Sequence, residues 1–126
     1  MSLSKLAGVV LGLMVSTVSF AAEDLANGET EFKKCRACHD VGPKAVNKVG
    51  PALTGIIGRR AGTVEGFSYS DANLDAAKKG LIWTEDVLFK YLADPRAFMP
   101  GTKMAFAGIK EEADRKDLIA YLKSQQ

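Results

Sequence analysis

The sequence predicts an all-α domain of three to five short helices joined by long loops. Apolar residues recur at three-to-four residue spacing in three places, two of them behind good helix caps, and no segment alternates convincingly as a strand. Glycine and proline gather between these stretches rather than within them. With 126 residues, 47% hydrophobic and 25% charged, the chain has room for one core. It contains no internal repeat, low-complexity tract or linker, so one domain is expected.

Taken in order, Asp24 can cap a helix running to about Cys35, with Leu25, Gly28 and Phe32 on one face. Thr84 caps a second, whose first turn holds Glu85 and Asp86 and whose apolar positions are Val87, Leu88, Tyr91 and Leu92; Asp94-Pro95 stops it. A terminal helix has Glu111, Glu112 and Asp114 at its positive end, Lys123 near its negative end, and a stripe of Leu118, Ile119, Tyr121 and Leu122. Gly28 would let the first and last helices approach closely. Turn residues fill the intervals: Gly42-Pro43, Gly50-Pro51, Gly55, Gly58, Gly62, Gly66 and Pro100-Gly101. So few short helices bury little apolar area by themselves, so something large and apolar is expected in the middle.

The first residues have a separate purpose. Lys5 precedes an apolar run from Leu6 to Val15, and Ser19-Phe20-Ala21 puts small residues at the two positions of a cleavage site. Residues 1–21 therefore read as a secretory signal peptide cut after Ala21, leaving a domain of residues 22–126. The alternative, an uncleaved anchor, needs ~20 apolar residues, about twice the length of this run. The full chain has 17 basic and 15 acidic residues, and Lys5 is the only charged residue in the leader; the remainder, 16 against 15, has a formal net charge of +1. That balance excludes a general nucleic-acid binder.

Cys35-Arg36-Ala37-Cys38-His39 has the spacing of covalent haem attachment. Two thiols three positions apart reach the two vinyl groups on one porphyrin edge, and the next residue aims its imidazole at the iron. The competing readings are weaker. A structural zinc site needs four ligands, and the chain offers two cysteines and one histidine. A thioredoxin-like pair wants strands alternating with helices, and a disulfide across two residues closes too small a loop to stabilise much. Haem would also supply the missing bulk of the core.

For the other face of the iron, Met99 and Met104 are the methionines of residues 22–126. A thioether is a neutral, soft ligand that favours ferrous iron and raises the reduction potential. Met104 follows the turn Pro100-Gly101-Thr102-Lys103, far in sequence from His39, whereas Met99 belongs to an Ala97-Phe98-Met99 run that reads as packing. This context favours Met104.

These residues, with several further stretches, resemble class I cytochrome c over nearly the whole of residues 22–126, nearest in pattern to bacterial cytochromes c2 and their mitochondrial relatives. The stretches are Gly28-x-x-x-Phe32, Gly50-Pro51-x-Leu53-x-Gly55-x-x-Gly58-Arg59, Gly66-Phe67-Ser68-Tyr69-Ser70-Asp71-Ala72-Asn73, Trp83 and Tyr91-Leu92-x-Asp94-Pro95. Pro100-Gly101-Thr102-Lys103-Met104-x-Phe106-Ala107-Gly108-Ile109-Lys110 and Asp117-Leu118-Ile119-Ala120-Tyr121-Leu122 complete them. The resemblance implies short helices and long loops wrapped around one covalent haem c, with His39 and Met104 as iron ligands.

It further implies that the segment before Pro51 accepts the His39 ring proton, and that Arg59, Tyr69 and Trp83 hold one haem propionate and Thr102 the other. Asn73, Tyr91 and Thr102 would form the polar network near the sulfur. On composition alone, Tyr69, Trp83 and Tyr91 would read as core aromatics. The implied function is one-electron transfer in the periplasm by a monomer, not an enzyme, that contacts redox proteins such as a bc1-type complex, terminal oxidase, reaction centre or dehydrogenase. No nucleic acid and no stable membrane insertion are implied.

The sequence departs from the mitochondrial pattern in two ways. Leu74 to Ile82 form a longer interval before Trp83, which favours a bacterial carrier. The basic rim is also thin, because Lys34, Arg96, Lys103 and Lys110 are present but Ala97, Glu111 and Glu112 interrupt it. Weak, salt-sensitive docking to acidic partners is the expectation.

Overall fold

The structure, a computed structural model, describes residues 4–5, 7–14 and 23–126. The leader and its cleavage point after Ala21 fall largely outside the described residues. Among those described, five helices form: α1 (Leu25–Phe32), α2 (Asp71–Lys78), α3 (Glu85–Ala93), α4 (Pro95–Phe98) and α5 (Glu112–Ser124). Among the described residues, extended pairing is limited to one isolated bridge, Arg60 with Ile82. None of these helices is long and apolar enough to cross a membrane.

Side-chain caps start four of the helices. Asp24 accepts from the Asn27 amide, Ser70 from Asn73, Thr84 from Val87 and Asp94 from Ala97, each satisfying a donor that the helix cannot satisfy internally. In α5 the Glu111 side chain makes no such bond, and Glu112 and Asp114 supply negative charge to the first turn. Asp94-Pro95 does more than stop α3. Asp94 caps α4, and Pro95 occupies its first turn, where a missing N–H costs nothing.

The core lies where α5 meets α1 and α3. Phe32 and Leu118 are almost wholly buried, with Leu88, Leu92, Ile119, Tyr121 and Leu122 around them. The Phe32 and Tyr121 rings sit 5.6 Å apart. Gly28 lies where the α1 and α5 backbones touch: a Cβ there would overlap the Asp117 carbonyl and come within 2.7 Å of the Tyr121 Cβ. Polar contacts close the same crossing, since the Asp24 amide donates to Asp117 (2.8 Å) and the Asn27 side chain donates to Asp114 (3.0 Å) and Asp117 (2.8 Å).

Candidate functional site

The attachment segment begins where α1 ends. Helical geometry stops at Phe32, earlier than the expected Cys35, and the chain continues in tight turns in which the Cys38 and His39 amides both donate to the Cys35 carbonyl, at 3.0 and 2.8 Å. Cys35 and Cys38 are half-buried and unpaired. Burial, reinforced by Glu31, pushes the Cys35 thiol up to about 11, so it stays protonated at neutral pH. Among the described residues, no three His, Cys, Asp or Glu side chains gather to hold one metal ion.

The His39 ring is fixed from two sides. Its Nδ1 lies 2.7 Å from the Pro51 carbonyl, an acceptor, so Nδ1 carries the proton and the Nε2 lone pair remains for a metal. The acceptor is thus Pro51's own carbonyl rather than the segment before it. Burial lowers the imidazole pKa and favours the neutral, ligating form, although the Pro51 bond pulls the other way. Gly50 leaves room for the ring, because a Cβ there would overlap Cε1 and lie 2.7 Å from Nδ1. Gly50→Ala should displace the imidazole at a cost of about 1–3 kcal/mol, and a lower melting temperature together with an altered visible spectrum of the haem-loaded protein would register it.

Met104 lies on the 102–110 loop, half-buried. Its amide donates to the Thr102 hydroxyl (3.3 Å), and the Thr102 amide donates to the Met99 carbonyl (3.0 Å), which shapes the turn before the sulfur. The Tyr91 hydroxyl, from α3, approaches the Met104 sulfur at 3.6 Å as a donor. Burial raises the phenol's pKa above its ordinary 10.0, while Thr102 tempers the shift, so the proton for that bond stays in place. Tyr91 is itself wedged between Trp83 (4.8 Å between centroids) and Phe98 (5.6 Å). Met99 is only 5% exposed and belongs to the core, as its sequence context suggests.

The other expected positions are only partly gathered. Backbone pairing joins Arg59 and Trp83: the Trp83 amide donates to the Arg59 carbonyl at 2.8 Å, and Gly58 donates to the Trp83 carbonyl at 2.8 Å. The Arg59 guanidinium donates to the Ala52 and Thr54 carbonyls at 3.0 and 2.5 Å, and burial lowers its pKa while Tyr69 pulls it back up. Tyr69 spends its hydroxyl oxygen accepting from the Val64 amide (2.9 Å). Asn73 has two roles, since its amide completes the Ser70 cap while its side-chain Oδ1 is buried with no hydrogen-bond partner. An unmatched buried acceptor is costly, and it marks a place suited to a further polar group.

Residues 25–126 match the family model described as Cytochrome c. The chain belongs to the cytochrome c family. A cytochrome c2 of Blastochloris viridis is 53% identical over 118 residues, covering 91% of each chain, and a cytochrome c-550 of Ancylobacter novellus is 54% identical over 99 residues, 79% of this chain and 92% of that one. The solved cytochrome c2 of Rhodospirillum centenum overlays with a TM-score of 0.78 at 48% identity, covering 82% of this chain and 98% of that one.

Proteins of this family bind one covalent haem c and carry electrons without acting as enzymes, and this cytochrome c has the residues for it. Two unpaired thiols, an imidazole with its tautomer fixed, a thioether under a phenol and an orphaned buried amide oxygen all fit that group. One buried cation, Arg115, went unnoticed in the sequence. Its signal is positional, because Arg115 stands three residues before Leu118 and seven before Leu122, on the apolar stripe of α5.

Proposed function

We propose that this cytochrome c is a periplasmic one-electron carrier whose iron is held between His39 and Met104. The observation that carries the reading is the pair of preset donors: an imidazole whose Nδ1 is tied to Pro51 and a sulfur that accepts from Tyr91. Both atoms are oriented before any metal is considered, which lowers the reorganisation accompanying ligation and electron exchange.

Haem c, when bound, supplies an iron centre that cycles between ferrous and ferric states. Cys35 and Cys38 hold it covalently, and His39 donates through Nε2. Tyr91 keeps a donor on the Met104 sulfur and so limits how much electron density that ligand can donate, in the sense that favours ferrous iron. Arg59, Tyr69 and Trp83 neutralise or hydrogen-bond one propionate and Thr102 the other; Asn73 joins Tyr91 and Thr102 near the sulfur. The Asn73 oxygen that lacks a partner supports its place in that network.

Residues 1–21 direct export and are removed after Ala21, which puts the domain in the compartment where bacterial carriers of this type meet membrane complexes. A bc1-type complex, a terminal oxidase, a reaction centre or a dehydrogenase would exchange electrons with it through the rim around Lys34, Arg96, Lys103 and Lys110, and the carrier would act as a monomer. A potentiometric titration of the exported protein, followed by visible absorption, tests the ligand pair. The expected result is one covalent haem with a sulfur-to-iron band and a high potential. A low potential without that band removes Met104 from the iron.

A further inference from the structure

Arg115 is 7% exposed, yet among the described residues no carboxylate pairs with it. A buried cation without an ion pair is expensive unless its hydrogen bonds do something specific. Its Nη1 donates to two successive carbonyls, Ile109 at 2.7 Å and Lys110 at 2.9 Å, and its Cζ lies 4.3 Å from the centre of the Phe89 ring on α3. The guanidinium thus joins α5, α3 and the exit of the loop that bears Met104. Beside it, the Ile109 amide donates to the Leu92 carbonyl at 2.8 Å, and Gly108, with φ at +104°, lies so close to α3 that a Cβ would come within 2.7 Å of the Ala93 carbonyl carbon.

The loop therefore has two unequal ends. At its entrance the Thr102 amide and hydroxyl shape a local turn, whereas its exit is tied to two other helices by a charged donor. Tyr91, which reaches the sulfur, lies on the same helix as Phe89 and Leu92, so the exit clamp and the sulfur's donor share one rigid element.

We propose that Arg115 is a positioning residue for the sixth iron ligand: by clamping the Ile109 and Lys110 carbonyls against α3, it holds the 102–110 loop closed and so keeps Met104 on the iron. The idea rests on the ligation proposed above. It also assigns the burial of this charge a role that an apolar side chain of similar size could not fill.

The test uses the ferric, haem-loaded full protein and imidazole as a competing ligand, with displacement read from loss of the sulfur-to-iron band. In Arg115→Met, which retains bulk over Phe89 but removes both Nη1 hydrogen bonds, imidazole affinity should rise about tenfold, in keeping with two charge-assisted hydrogen bonds lost from the closed loop. Arg115→Lys, which keeps the charge but ends in a shorter, non-planar ammonium, should fall between that variant and the parent. Tyr121→Leu, at the α1–α5 crossing, should lower the denaturation midpoint while leaving imidazole affinity within twofold of the parent.

A denaturation midpoint lowered in Arg115→Met with imidazole affinity unchanged would overturn the proposal, as would an equal rise in affinity in Tyr121→Leu. If Arg115→Met does not fold, Arg115→Lys and Phe89→Leu decide the matter by the same reading: an increase of about threefold or more supports the clamp, and no increase removes it. Absence of the sulfur-to-iron band in the parent protein would overturn the ligation itself, and its presence with unchanged affinities would overturn only the role of Arg115.

Discussion

Met104→Ala should lower the reduction potential by a substantial part of the roughly 0.8 V range that axial ligands command, and should abolish the sulfur-to-iron band. On the ligation proposed above, the replacement removes a neutral, soft donor that favours ferrous iron and leaves water or an added ligand as its successor. The fold should survive, because the loop ends are held by backbone bonds away from the sulfur, Thr102 to Met99 and Ile109 to Leu92. Tyr91 would lose its acceptor on the sulfur while keeping Thr102 beside it, adding about 1 kcal/mol of destabilisation. Potentiometry and thermal melting of the loaded variant read the two effects separately. An unchanged potential with the band retained would assign the sulfur to Met99, the other methionine of residues 22–126.

Gly28→Val should destabilise the protein by about 3 kcal/mol or more, a large share of the 5–15 kcal/mol typical of a domain. Even the first added carbon meets the Asp117 carbonyl, which belongs to the backbone of α5 and cannot rotate away. The helices must then separate, which loosens Phe32 against Tyr121 and lengthens the Asn27 bonds to Asp114 and Asp117. A denaturant midpoint within error of the parent would show that the crossing gives way cheaply.

The helices most legible in the sequence are those whose caps and apolar stripes agree. Asp24, Thr84 and the acidic start before Leu118 located α1, α3 and α5 to within a few residues. Helix α2 is hidden because the half-buried face it packs on the core is made of small residues, Ala72, Ala76 and Ala77, so no stripe of large side chains announces it. Its local signs are Ser70, whose hydroxyl caps the Asn73 amide, with Asp71 in the first turn and Lys78 in the last. At α4 the Asp94-Pro95 pair signals a terminator in the sequence, although the same chemistry that ends one helix can begin the next.

The candidate site divides along the same line. Cys35, Cys38 and His39 are adjacent, so spacing alone reveals their common purpose. The Tyr91–Met104 contact joins residues 13 positions apart on a helix and a loop, and no local pattern encodes it. The resemblance to a family implies only that Tyr91, with Asn73 and Thr102, belongs to a polar network near the sulfur. Arg115 was missed because a charge in a helix is normally solvated, and burial is a property of the assembled molecule rather than of the helix that carries the residue.

The crossing of α1 with α5 also sets an order of events. The Asp24 amide meets a carboxylate 93 positions further on, in α5. A chain delivered amino end first leaves Phe32 uncovered until α5 has emerged. Distant pairings of this kind form late, after the entropy of a long loop has been lost. Residues 35–39 emerge well before α5, while the clasp that will hold α1, just ahead of them, is still unmade. Chemistry on those two thiols can thus proceed on an open chain, and closure by the thirteen-residue α5 seals what has been attached.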